Sequence, residues 1–187
     1  MATSPASKTI YQLKVTLKGF RPPIWRRLQV RGDTRLSNLH TIIQCAMGWQ
    51  DYHLHEFKVG KQHYWVPDPD DWHEVLDERK ALLGQVAPAE KVRFAYEYDF
   101  GDSWEHEILV EKILPPETGA QYPRCVTGKR ACPPEDVGGV WGYAEFLEAI
   151  GDPDHEEHER LLEWAGGSFD SDAFDLDEVN TRLRELA

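Results

Sequence analysis

The sequence predicts an α+β fold: a mostly antiparallel sheet from the first two thirds, packed with one early helix and a C-terminal helical layer. Three observations lead there. Period-two apolar alternation recurs up to Ile113. Helical spacing occurs once early and then three times after Tyr143. Strand and helix patterns do not alternate regularly, which argues against a βαβ series.

Ile10–Leu17 alternates, with Tyr11, Leu13, Val15 and Leu17 on the apolar side and Ile10, Gln12, Lys14 and Thr16 opposite. Arg21-Pro22-Pro23 is a stiff breaker. Ile24–Val30 reads as a second strand, with Ile24, Arg26, Leu28 and Val30 on one side, and the two strands are expected to pair antiparallel. Leu36, Leu39, Ile43 and Met47 fall at helical spacing, and Gly48 ends that helix. His53–Val59 and Gln62–Val66 form an expected hairpin around Gly60-Lys61, followed by an acidic turn at Pro67–Asp71. A short helix is expected near Arg79–Leu83. Val92–Tyr98 and Trp104–Ile113 are the strongest strand patterns, joined at Phe100-Gly101-Asp102. Residues 115–141, rich in Pro and Gly, read as a long ordered loop. Helices are expected over Tyr143–Ile150, His155–Trp164 and Leu176–Leu186, the last two behind Asp152-Pro153 and Asp175.

The chain has 187 residues, 41% of them hydrophobic, with seven each of Trp, Tyr and Phe. That content excludes a disordered chain and suits a single domain over residues 9–187 behind a polar, disordered start at residues 1–8. No apolar run reaches the roughly 18–20 residues of a membrane helix. The start MATSPASK has no apolar signal core, and three cysteines make no disulfide framework, so a reducing cytoplasm is expected. The net charge of −12 argues against a broad nucleic-acid surface. It is split, however: residues 1–66 sum to +7 and residues 67–187 to −19.

The chemistry concentrates in Tyr96–His106 (YEYDFGDSWEH). On a strand, Trp104 and His106 share the apolar side, and Asp99 and Asp102 flank the turn that feeds it. His53, His55 and Phe57 share a face in the same way. If the two strands are neighbours, His53, His55 and His106 converge with Asp99 and Asp102 beside Trp104. Imidazoles with carboxylates suit a divalent metal or acid–base chemistry. The alternatives are a binding pocket without catalysis and a purely structural network. Asp99-Phe100-Gly101 spells the kinase metal-binding tripeptide, but no Gly-rich loop or HRD accompanies it, so it is read as a turn.

A second candidate is the loop carrying Cys125, Cys132, Glu135 and Asp136. The cysteine spacing is wider than a usual zinc pair, and only Cys45 remains, so a four-cysteine site is excluded. Mixed ligation, a redox pair or anchoring by buried thiols stay open. His155-Glu156-Glu157-His158 lacks zinc-protease spacing and reads as a solvated face. Arg21, Trp25, Arg26 and Arg27 are candidate nucleic-acid contacts, because arginine beside an aromatic grips phosphate and stacks on bases. The alternative for these arginines is pairing with the acidic C-terminal helices. No nucleophile elbow, Walker loop or dinucleotide fingerprint is present.

Taken together, the segments at residues 10–30, 36–57, 96–111, 122–150 and 174–186 resemble the plasmid pRi open-reading-frame-three-like family. YDFGDSWEH and CPPED are the distinctive pieces. Members are often labelled as the TnpR passenger protein of an insertion element. The resemblance implies one α+β domain and an association with mobile DNA. The label would imply a resolvase, but the sequence presents no case for an arginine-supported serine nucleophile near its start or for a helix-turn-helix. The resemblance implies that many relatives have Cys where this chain has Val137, which weakens a family-wide thiol role here. The functional expectation is a cytoplasmic binding or accessory protein with a His/Asp-lined pocket and an unidentified ligand or protein partner. No cofactor is required by the sequence. The alternatives are a metal-assisted hydrolase using the His/Asp cluster and a nucleic-acid-binding module using residues 21–35.

Overall fold

The computed structural model describes residues 9–68 and 75–186. The expected disordered start and most of the acidic turn at Pro67–Asp71 lie outside the described residues. In chain order the elements are β1 (Ile10–Leu17), β2 (Ile24–Arg31), α1 (Leu36–Met47), β3 (His55–Val59), β4 (Gln62–Trp65), β5 (Leu76–Asp77) and α2 (Leu83–Val86). They continue with β6 (Arg93–Tyr98), β7 (Trp104–Leu114), β8 (Arg124–Lys129), α3 (Gly139–Gly151), α4 (His158–Trp164) and α5 (Leu176–Arg184). Among the described residues eight strands form one sheet in the order β5-β4-β3-β6-β7-β1-β2-β8. Every pairing is antiparallel except β4 with β5. The fold is therefore α+β, with helices drawn mainly from the C-terminal third. Among the described residues no helix is long and apolar enough to cross a membrane.

The alternation of β1 decides which side of the sheet is covered. Tyr11, Leu13, Val15 and Leu17 are buried together with Leu28, Val30, Tyr96, Trp104 and Ile108. Leu36, Leu39, Ile43 and Met47 of α1 join that core. Each fully buried Leu or Ile contributes roughly 1.5–3 kcal/mol, so this face accounts for much of the fold's stability. The opposite side keeps a polar ladder: Arg27 forks onto Glu111 at 2.6 and 2.8 Å, and Gln12 donates to the same carboxylate. Cations of the basic first third pair with strand acids, Lys18 with Glu105, Arg27 with Glu111 and Lys58 with Glu97, while Arg31 pairs with Asp33 in the adjoining turn. The expectation of pairing with the C-terminal helices is corrected to that extent.

Several expected elements differ, among them α4, which starts at His158 rather than His155. The loop at 115–141 contains a strand, β8, paired along β2. Its only apolar positions are Cys125 and Val126, and Gly128 is buried where a strand pattern expects a large side chain, so alternation gives no signal. Its outer edge is closed by Asn180 of α5, whose amide accepts from the Cys125 N–H and donates to the Cys125 carbonyl. That blunts an edge otherwise open to pairing. The helix expected near Arg79–Leu83 starts only at Leu83, because Leu76–Asp77 pairs with β4. β3 starts at His55, since Asp51 takes a left-handed backbone (φ 60°) and bends the chain before it.

α3 begins at Gly139, four residues before the expected start. Its first turn is pressed onto the preceding loop, and a Cβ at Gly142 would run into the Val137 carbonyl oxygen. Gly142→Ala is therefore expected to lower stability by about 1–3 kcal/mol, as overpacking does. Gly151→Ala, where a Cβ meets nothing within 4 Å, should leave it unchanged or raise it slightly. Urea unfolding midpoints of the two variants measure the difference.

Candidate functional site

Three segments meet beside the β6–β7 turn. The first is the loop from Gly48 to Leu54, between α1 and β3. The second is the turn at residues 99–103. The third is the Pro133–Gly138 stretch ahead of α3. Trp49 Nε1 donates to the Pro133 carbonyl at 3.0 Å, and Gln50 N–H donates to Glu135 Oε1 at 2.8 Å. Tyr98 Oη donates to the same oxygen at 2.9 Å and accepts from Tyr52 N–H at 3.0 Å. Burial and the Glu135 hydrogen bond push the Tyr98 phenol well above its usual range. It therefore stays protonated and acts as a donor. Asp99 Oδ1 accepts from the N–H groups of Gly101 and Asp102, while Asp99 N–H donates to the Leu54 carbonyl. Asp102 accepts from Gly138 N–H at 3.1 Å. Gly139 packs so tightly on Asp102 that a Cβ would sit 2.6 Å from its carbonyl oxygen.

At this junction His53 Nε2 lies 3.0 Å from Asp136 Oδ1 and 3.6 Å from Asp99 Oδ2. One ligand atom from each of the three residues lies within 4.8 Å of the others. The nitrogen is buried, yet neither carboxylate is aligned with it as a hydrogen bond. Asp99 is buried and the Asp136 side chain is 66% exposed, so the cluster is closed on one flank and open on the other. Apolar residues border it along the chain: Tyr52, Leu54 and Phe100 are all exposed, and Trp141 in the first turn of α3 is 83% exposed. From Asp136 a cleft of about 570 Å³ runs between α3 and α4, past Phe146, Leu161 and Trp164.

A second cluster is more enclosed. His40 of α1 and His55 of β3 stack with ring centroids 3.4 Å apart and planes 5° from parallel. His40 Nδ1 lies 2.8 Å from Tyr96 Oη, and Nε2 lies 2.8 Å from Asp51 Oδ1. Gln44 Nε2 donates to Tyr96 Oη at 2.8 Å. Burial, reinforced by His55, lowers the His40 pKa to about 4 against the pull of Asp51 and Glu78. His55 Nε2 contacts Glu78 Oε2 at 2.9 Å, and Glu78 is buried. Asp51, Asp99 and Asp136, the carboxylates of the two ligand sets, all have φ between 56° and 60°. Aspartate tolerates that left-handed region better than most side chains.

The sequence-level candidates thus divide. His53 and Asp99 do meet, and Glu135 and Asp136, expected at a separate loop site, join them. His55 turns to the second cluster. Asp102 holds the start of α3. Trp104 is a core side chain tilted against Trp49 and Phe20. His106 does not reach the carboxylates. It is fully buried against Trp49 and Tyr96, with both ring nitrogens lacking a formed hydrogen bond. The thiols are free and packed inside, Cys132 against Met47 and Arg26, and burial pushes Cys125 up to about 11. Arg26 is a correction. It is buried on the opposite side of β2 from Trp25 and Arg27, because its guanidinium serves the Ala46 and Lys129 carbonyls. Arg27 is tied to Glu111, and Lys14 and Arg27 both lie over Trp25 at 5.1 Å. Arg21, Trp25, Arg26 and Arg27 therefore form no common basic surface. His40, Asp51, Glu78, Tyr96 and Tyr98 were not singled out. The available signals were a histidine on the apolar side of α1 and two tyrosines in register with Phe94.

Comparison with known proteins places the chain in a family. The model of the plasmid pRiA4b ORF-3-like protein matches residues 9–178. The chain belongs to that family. A curated relative, the uncharacterized protein y4hQ of Sinorhizobium fredii, is 42% identical over 181 residues, covering 96% of this chain and 93% of its own. The crystal structure of the protein of unknown function MM3350 from Methanosarcina mazei Go1 is similar with a TM-score of 0.83 at 41% identity. That match covers 91% of this chain and 97% of the other.

His106 gives a pH test. Burial lowers its pKa to about 4, partly opposed by the backbone of Trp104 and Tyr96. Between that value and the unfolded value near 6.5 the unfolded chain binds the extra proton, so stability falls as pH drops through this window. The full loss is on the order of 3 kcal/mol. His106→Gln should flatten the dependence of unfolding free energy on pH between about 6.5 and 4.

Proposed function

We propose that the chain is a binding or accessory protein whose His53–Asp99–Asp136 cluster takes a divalent cation and presents it to a ligand. The observation carrying this reading is a buried His53 nitrogen set between two carboxylates from separate segments, aligned with neither. One imidazole and two carboxylates suit a divalent metal. The open flank at Asp136 leaves coordination positions facing solvent. The bordering apolar residues and the α3–α4 cleft offer space for the body of a ligand. The same reading takes residues 9–187 as one unit working in the cytoplasm, which the three free thiols favour. An association with mobile DNA and the TnpR-like label rest on the family's plasmid description and on the resemblance. The hydrolase alternative needs the same ion and adds a metal-bound water as nucleophile.

Isothermal titration of metal-free protein with Zn²⁺, Mn²⁺ and Mg²⁺ tests this. At least one ion should bind, and His53→Ala and Asp136→Asn should each weaken it by more than about tenfold. Asp136→Asn is a mild change, since Asn also tolerates the left-handed backbone. Binding unaltered in both variants would overturn the reading. Turnover of phosphate or carboxylate esters in the loaded protein would move it to the hydrolase.

A further inference from the structure

The second cluster has a different donor set and a different setting, and it carries its own inference. We propose that His40, Asp51 and His55 form a second divalent-metal site, for a zinc-class ion, with Glu78 as the buried carboxylate that orients His55.

Ligand atoms from His40, Asp51 and His55 lie within 4.8 Å of one another. Two imidazoles and a carboxylate favour Zn²⁺, Fe²⁺ or Co²⁺ over Mg²⁺, whereas the His53 cluster is richer in oxygen. Both imidazoles already have the supporting contacts that metal-bound histidines use. Tyr96 Oη, fixed by Gln44, takes His40 Nδ1 and leaves Nε2 directed at the Asp51 side. Glu78 takes His55 Nε2, a carboxylate–histidine pairing that orients a ligand ring and raises its basicity.

Charge points the same way. Asp51 and Glu78 bring two carboxylates to a pair of imidazoles. Among the described residues, the ion pairs assigned to them are with His40 and His55. Glu78 is 2% exposed, and a buried carboxylate needs a compensating cation. A divalent ion balances both. Asp51, whose side chain is 51% exposed, provides the entry. The stacked rings must tilt out of parallel for their lone pairs to converge on one ion, so loading opens the 3.4 Å stack. The ring of Tyr98 packs against His40 at 6.4 Å and His53 at 5.8 Å. The two clusters thus flank one tyrosine and are separable by mutation.

The experiment uses the full chain, stripped of metal and titrated with Zn²⁺ and Co²⁺. Calorimetry gives the stoichiometry, and the visible absorption of bound Co²⁺ reports its ligands. A His53→Ala/Asp136→Asn double variant should still bind one ion. Adding Asp51→Asn or His55→Gln should weaken that ion by about 100-fold or more, with circular dichroism confirming the fold. In the wild-type chain the ring ¹⁵N resonances of His40 and His55 should shift on adding Zn²⁺. That measurement stands even if a variant fails to fold. If the double variant binds nothing while the wild type binds one ion, the second site is overturned and the His53 reading stands. Unmoved His40 and His55 resonances also overturn it. If the double variant keeps one ion but the wild type holds no more than that, the His53 reading falls and this one stands.

Discussion

The structure depends on what the buried guanidinium of Arg26 requires. A charged group taken out of water must use its donors on protein acceptors. Arg26 Nε donates to the Ala46 carbonyl at the end of α1, and Nη1 donates to the carbonyls of Trp25 and Lys129. Nη2 reaches Cys132 Sγ at 3.5 Å, and Cζ lies 4.6 Å from the centroid of the Phe174 ring. One side chain of β2 therefore fixes the end of α1, the end of β8, the loop beyond it and the approach to α5. The loop so held reaches Glu135 three residues later. Gly128 is small because Phe174 and the Arg26 stem fill the space where its Cβ would lie.

From that clamp the polar junction follows. α1 stops at Gly48, the chain turns, and Trp49 is caught under Pro133. Glu135 then receives Gln50 N–H and Tyr98 Oη at one oxygen. These contacts bring Asp136 to His53, and the β6–β7 turn supplies Asp99. Each carboxylate is held by backbone geometry rather than by a long flexible side chain. That preorganisation is what a binding site needs, since the groups need not be ordered again when a ligand arrives. The two clusters differ in exposure because Asp136 lies on a surface loop while Glu78 lies under the sheet edge.

Much of the site was legible in residue types and little of it in partnerships. His53 and Asp99 stood out because a histidine beside apolar neighbours needs an acceptor, and a turn aspartate supplies one. Glu135 and Asp136 stood out because Pro133-Pro134 and Gly138-Gly139 frame them. Nothing local says that these two sets are neighbours. That depends on the path of residues 130–138 over Trp49. The grouping of His106 with the other histidines failed because strand phase gives only a side of the sheet. On that side, Trp49 and Tyr96 stand around the ring. The role assigned to Arg26 failed although its phase was right. An arginine in register with Ile24, Leu28 and Val30 is already on the buried side, and that position outweighs its charge.

The sequence by itself determined the α+β class, both strands of the first hairpin, the bounds of α1 and the covered side of the sheet. Those depend on local periodicity, and burying apolar area is enough to enforce them. It also determined the charge split, +7 against −19. Tertiary structure decided how those charges are used, by placing acidic β7 beside β1, where Lys18 reaches Glu105 and Arg27 of β2 reaches Glu111. It decided that β8 is a strand, because pairing with β2 and the amide of Asn180 satisfy a backbone that lacks an apolar pattern. It decided the histidine partners as well. Hydrogen bonds and charge contacts act over a few ångströms, and residues as far apart in the chain as His40 and Tyr96 come within that range only after the sheet has formed.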